Sequence, residues 1–254
     1  GREVFVAGSV SPAVTARQRR QVGAAERQDV IAEQVRSLAT AGVDLIILET
    51  FGYLDELVEA VAVAADLGDV PVIAQATFAD DAHTLGGETP REVATVLSGL
   101  PVAMLGTNCT IGPQRMLTVA EDLVRYASVP VSAQPNAGQP RRTGPRSFEF
   151  SIGGDYFARY FRRFAEAGVS LVGGCCGTTP AHIRAAAGAV TAIPARARRT
   201  HPAGTGISGT VISGTGTVAP PGSVPFAGTL ADQLAGRRFI VAAAIASGGR
   251  PAEA

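Results

Sequence analysis

Val43-Asp-Leu-Ile-Ile-Leu-Glu-Thr50 is almost continuously apolar until its penultimate residue. A strand with one wet face would alternate apolar and polar residues. A run like this one fits a strand buried on both faces, as in a parallel sheet covered by helices. Its flanks are helical. Upstream, Val30, Ile31, Val35 and Leu38 recur at helical spacing within 26–41, and Gly42 follows as a stop signal. Downstream, a second helix is expected over 55–67. The same alternation predicts strands over 4–10, 71–78, 102–109, 129–135 and 169–175, and helices over 90–98, 113–127, 155–167 and 180–193. Thr89-Pro-Arg-Glu92 marks one helix start, with a capping-box pattern and Pro at the first helical position.

Six strand–helix units in succession imply an α/β fold with a parallel sheet. A closed (β/α)8 barrel of the TIM type has eight units in about 250 residues. The expectation is therefore an incomplete barrel over residues 1–194, with about six of its eight β/α units. Because the chain opens directly on a strand, the missing units are expected at the N-terminal end. Residues 195–226 are rich in Gly, Thr and Ser and read as a linker. Residues 227–254 hold a short helical pattern around Leu230 and Leu234 and an apolar run over 239–245, the expected start of a second domain.

Composition narrows the function. The 254 residues are 46% apolar and 17% charged, enough for a sizeable core. Lys+Arg and Asp+Glu are equal at 22 each, so nothing favours nucleic acid or an anionic membrane as a partner. The longest apolar runs reach about ten residues, half of a membrane span. Three cysteines, two of them adjacent, make a poor disulfide framework. With no basic-then-apolar leader at the start, the chain reads as cytoplasmic.

Those cysteines are the chemical signal. Cys109 closes one predicted strand, and Cys175 closes another two units later, with Cys176 directly after it. Strand ends of a β/α barrel converge on one mouth, where the chemistry of the fold sits. Adjacent residues of a regular strand face opposite ways, so Cys175 and Cys176 share a target only if the backbone turns irregular there. Gly173, Gly174 and Gly177 supply that freedom. Three thiolates suit one zinc ion with a fourth position open. Such a centre carries a net charge of −1, too electron-rich to ionise water well but able to hold an incoming thiol as thiolate. Alkyl transfer to sulfur is the reaction class that follows, with no proton shuttle required at the sulfur. Three plainer roles compete: buried core thiols, a strained vicinal redox pair, or a Gly-rich phosphate loop. A zinc-stabilised module without turnover would need a fourth protein ligand. His83 and His182 read as a loop and a helix-start residue rather than ligands.

Together with Val6-Ala-Gly-Ser-Val10, Asp44-Leu-Ile-Ile-Leu-Glu-Thr50 and Gln134-Pro-Asn-Ala-Gly138, the pair Gly106-Thr-Asn-Cys109 and Val172-Gly-Gly-Cys-Cys-Gly-Thr-Thr-Pro180 resembles the zinc-dependent homocysteine S-methyltransferases. That family includes the homocysteine domain of cobalamin-dependent methionine synthase and betaine–homocysteine methyltransferase. The resemblance covers about residues 1 to 195. It implies one zinc ion on Cys109, Cys175 and Cys176, with homocysteine as methyl acceptor and methionine as product. It also implies that Glu49 receives the homocysteine amino group. A Glu ending an apolar strand is costly unless it faces a polar mouth or a cation, which agrees. Asn108 is grouped with Glu49 as substrate-binding, with orientation of the thiolates or backbone satisfaction at the turn as its other roles. Asn136 is a weaker candidate for the mouth. Relatives use S-methylmethionine, betaine or methylcobalamin, the last expected on a separate protein, and the sequence does not choose among them. The Asp-Gly motif of the family's first strands has no match, so this chain is expected to keep the metal ligands but to turn over poorly. Leu230 to Val241 loosely resembles the opening of methylenetetrahydrofolate reductase, as in bacterial fusions of the two activities.

Overall fold

In a computed structural model, residues 5–68, 70–145, 147–190 and 240–243 are described. The elements in chain order are β1 (Ala7–Val10), α1 (Ala24–Thr40), β2 (Leu45–Phe51), α2 (Leu54–Asp66), β3 (Val72–Ala76), α3 (Pro90–Leu97), β4 (Met104–Asn108) and α4 (Pro113–Tyr126). They continue with β5 (Val131–Gln134), β6 (Pro140–Arg142), β7 (Phe148–Phe150), α5 (Gly154–Ala167), β8 (Leu171–Gly174), α6 (Pro180–Val190) and β9 (Ile240–Ala243). The six expected strands and six expected helices are all present, most of them trimmed by one to three residues at their ends.

The strands form one sheet in the order β1-β2-β3-β4-β5-β8-β9, every pair parallel. Sequential order with a helix between neighbours is the wall of a β/α barrel, here incomplete. Period-two alternation sorts the side chains to two faces. Ile46, Leu48, Val72, Ala74, Leu105, Val131, Ala133 and Val172 pack under the helices. Leu45, Ile47, Ile73, Met104 and Leu171 face the other way and form a second apolar cluster with Phe5. Further along the strands come buried polar groups, Gln75, Asn108, Ser132 and Gln134. Gln75 reaches across β4 to hydrogen-bond Ser132 Oγ at 2.9 Å and Gln134 Oε1 at 2.7 Å.

Local signals behave as their chemistry requires. Thr89 Oγ1 accepts from Glu92 N–H while Glu92 Oε2 accepts from Thr89 N–H, so the capping box at α3 is complete. α5 buries Phe157, Phe161 and Phe164 along one face and ends at Gly168 with φ +104°. One feature departed from expectation. The β5–α5 connection carries an antiparallel hairpin, β6 with β7, whose three-residue exposed strands give too short a pattern to read. β9, from the apolar run 239–245, lies beside β8 with Leu171 opposite Ile240 and Gly174 opposite Ala243. The linker 195–226 and the rest of the final stretch lie outside the described residues. Among the described residues, no helix is long and apolar enough to cross a membrane.

Candidate metal centre

The C-terminal ends of β2, β4 and β8 bring all five sequence-predicted residues to one place. Cys109, Cys175 and Cys176 are free thiols whose sulfurs all lie within 4.8 Å of one another. Cys109 Sγ and Cys176 Sγ are 3.7 Å apart. The first two are half-buried and Cys176 is exposed, so the cluster opens outward.

Backbone ties set these positions. Cys109 N–H donates to the Gln134 carbonyl at 3.1 Å, which fastens the end of β4 to β5. Cys175 N–H donates to the Pro135 carbonyl at 3.0 Å, and the Cys176 carbonyl accepts from Ala137 N–H at 2.9 Å. The irregular backbone is distributed differently from the expectation. Of Gly173, Gly174 and Gly177, only Gly177 has a left-handed φ, +77°. The other strained positions are not glycines: Cys109 at +58°, Thr110 at +59° and Thr50 at +66°. Non-glycine residues in this region cost energy and persist where surrounding structure holds them, often at functional sites. Thr110 is held by its Oγ1, which donates to the Phe78 carbonyl at 2.7 Å.

Thr50 is held by Asn108. Its N–H donates to Asn108 Oδ1 at 2.8 Å, and Asn108 Nδ2 donates to Thr50 Oγ1 at 2.8 Å. The same Nδ2 donates to Glu49 Oε2 at 3.0 Å and lies 4.0 Å from Cys175 Sγ. Asn108 is fully buried, so this one amide links the carboxylate strand to the cysteine cluster. Ser9 Oγ donates to the other carboxylate oxygen, Glu49 Oε1. Glu49 is half-buried and held from both sides.

Two contributors were under-read in the sequence. Ser9 lies within a quoted motif but carries no spacing signal toward Glu49, forty residues away. Asn136 is 4% exposed, and its Oδ1 accepts from Cys176 N–H at 3.1 Å. Its amide also touches Cys109, so it spans two of the three cysteines. His83 lies in the loop after β3, and His182 in the first turn of α6.

The thiols share their protons unequally. The hydrogen bond from Cys175 draws the Cys109 thiol down to about 6, against burial. The Cys175 thiol is pushed up, first by that same bond to Cys109 and then by burial. Burial, with the neighbouring Cys109 charge, pushes Cys176 up as well. Metal-free, the trio thus behaves as one thiolate solvated by two thiols, and its titration belongs to the group. A cation would complete it by replacing the two remaining protons.

A family described as homocysteine S-methyltransferase matches residues 1–190. Methionine synthase of Mycobacterium tuberculosis is 36% identical over 198 residues, 76% of this chain and 16% of that protein. Methionine synthase of Mycobacterium leprae is 36% identical over 169 residues, 64% of this chain and 14% of that protein. Crystal structures of the homocysteine methyltransferase MmuM from Escherichia coli superpose in the apo form with TM-score 0.60 at 28% identity, and in the metallated form with 0.54 at 27%. These alignments cover 73% and 72% of this chain and 62% and 60% of the MmuM chain. The chain therefore spans about one-sixth of the curated relatives it matches and three-fifths of the solved one.

Proposed function

The chain belongs to the homocysteine S-methyltransferase family, and from that premise we propose that it moves a methyl group to the thiol of homocysteine, giving methionine, with one zinc ion on Cys109, Cys175 and Cys176. The carrying observation is the gathering of three sulfurs within 4.8 Å beside a doubly held carboxylate.

The donor set fits the ion. With Zn–S bonds near 2.3 Å, sulfurs of a tetrahedral site stand about 3.8 Å apart. The Cys109–Cys176 separation of 3.7 Å matches this spacing. All-thiolate donors select zinc over the hard cations magnesium and calcium. A zinc ion held there would supply the deprotonation of an incoming thiol at its open position.

The remaining work belongs to the chain. Glu49, fixed between Ser9 and Asn108, takes the ammonium end of homocysteine and thereby directs its sulfur toward the cysteines. Asn108 contributes to substrate binding by holding that carboxylate and the Thr50 turn. Holding the acceptor in line lowers the barrier through orientation alone. The homocysteine sulfur forms a bond to the methyl carbon as the donor's bond to that carbon breaks, and the electron pair leaves with the donor. The donor is S-methylmethionine, betaine or methylcobalamin.

The proposal includes the chain's organisation, a barrel portion over 1–194, a linker over 195–226 and a second unit beginning in 227–254, and a cytoplasmic location in keeping with free thiols. X-ray absorption at the zinc edge tests its centre. On adding homocysteine to the reduced, zinc-loaded chain, the shell should gain one sulfur. An unchanged shell would overturn the enzyme reading in favour of a zinc-stabilised module. Methyl-transfer assays across the three donors then identify the donor.

A further inference from the structure

His182 is neither near enough in sequence to the cysteines to read as part of their motif nor one of the centre's donors. Its ring nevertheless closes a circuit around them. Nε2 lies 2.7 Å from the Ile152 carbonyl oxygen, which can only accept, so Nε2 carries the hydrogen. Nδ1 then accepts from Thr179 N–H at 3.2 Å and from Thr179 Oγ1 at 2.8 Å. The ring also sits edge-on to buried Phe157, with centroids 5.3 Å apart and planes at 82°.

Both partners lead back to Cys176. Ile152 N–H donates to the Ala137 carbonyl at 3.1 Å, and Ala137 N–H donates to the Cys176 carbonyl at 2.9 Å. On the other side, Thr179 is three residues from Cys176, and Thr178 N–H donates to the Cys175 carbonyl at 3.2 Å. The path Cys176–Ala137–Ile152–His182–Thr179–Cys176 is therefore a closed ring of hydrogen bonds and chain. It clamps the β8–α6 loop, which carries two of the three sulfurs, against the β5–α5 connection. Only one link in the ring is a side chain that bonds at both ends, and that link is His182.

We infer that His182 is a positioning residue for the metal centre: by bridging Thr179 and Ile152 it fixes where Cys175 and Cys176 present their sulfurs. The inference rests on the reading that the three cysteines hold zinc. An ordinary helix-start role is the plain alternative, since His182 occupies the third position of α6 and receives the N-cap backbone N–H as a capping-box side chain does. The Ile152 bond has no place in that role. It ties the helix start to a different loop.

Zinc affinity of the full chain, measured by competition with a chromophoric chelator, separates the two. His182→Ala removes both ends of the bridge. His182→Phe does the same while keeping a ring against Phe157, so a folded variant is available. Thr179→Ala weakens the helix start but leaves the Nε2–Ile152 bond in place. Both His182 variants should bind zinc about tenfold more weakly than the parent, the scale typical of outer-shell changes, with Thr179→Ala within about twofold of it. His182 variants that match the parent overturn the inference. So does a Thr179→Ala loss as large as theirs, which would reduce His182 to a helix cap. A parent chain that takes up no zinc would instead overturn the metal reading, and the inference with it.

Discussion

Gly106 offers the sharpest test of how the metal centre depends on the sheet beneath it. A Cβ built on Gly106 falls 2.0 Å from Ser132 Oγ and 2.3 Å from the Ser132 carbonyl oxygen, where ordinary contact begins at 3.4 Å. A rotamer change could move the hydroxyl but not the carbonyl, which is backbone. Gly106→Ala must therefore push β5 away from β4. That strains the ladder from Leu105–Val131 to Asn108–Gln134 and the bond from Cys109 N–H to Gln134. Overpacking a tight core costs 1–3 kcal/mol or somewhat more, and a collision with backbone belongs at the top, about 3 kcal/mol. For a domain of this size that lowers the midpoint of thermal unfolding by roughly 6–12 °C. Gly188, inside α6, is the matched control, because its Cβ would meet nothing within 4 Å and its φ is not left-handed. Gly188→Ala should stabilise by about 0.5–1 kcal/mol. Thermal melts followed by far-ultraviolet circular dichroism, with zinc affinity measured in parallel, give both signs. A Gly106→Ala protein that melts with the parent and binds zinc equally would refute the claim that β4–β5 contact positions Cys109.

Zinc affinity should rise with pH, because Cys109, drawn down to about 6, has already lost its proton at neutral pH while Cys175 and Cys176, both pushed up, have not. The slope is about a hundredfold per pH unit above 6 and approaches about a thousandfold below it, as a third proton must be displaced; a chelator competition series that is flat with pH would contradict this. Asn108→Ala leaves the Thr50 N–H and one Glu49 oxygen without their partner. It should cost about 1–3 kcal/mol of stability and weaken homocysteine binding by about tenfold or more in a calorimetric titration, with zinc still bound. Arg19 meets Glu56 at 2.7 Å, and that carboxyl is 6% exposed and already pushed up by burial. Arg19→Ala should destabilise by about 2–3 kcal/mol at pH 7 in urea unfolding. The loss should be smaller at pH 5, where an unpaired Glu56 takes up a proton and no longer buries a charge.

The strand–helix alternation was legible because each signal is local. A run such as Leu45 to Leu48 is apolar throughout because both faces are covered, and Thr89 to Glu92 caps its own helix. The three cysteines were legible for a related reason. A β/α unit delivers its strand end to the same rim each time, so position in the repeat stands in for position in space. The hairpin over 140–150 was not, since three-residue exposed strands carry almost no periodicity. Nor was the location of backbone strain, expected at glycines and found on Thr50, Cys109 and Thr110.

The amino-acid sequence by itself determined the repeat, the order of the units and which side chains reach the rim. Only the tertiary structure decided how those side chains hold one another. Ser9 and Asn108 grip Glu49 from strands 40 and 59 residues away, and His182 ties a helix start to a carbonyl 30 residues upstream. Such bonds follow from register and from which loops pack together. Those are properties of the assembled sheet and its loops, with no periodic trace along the chain.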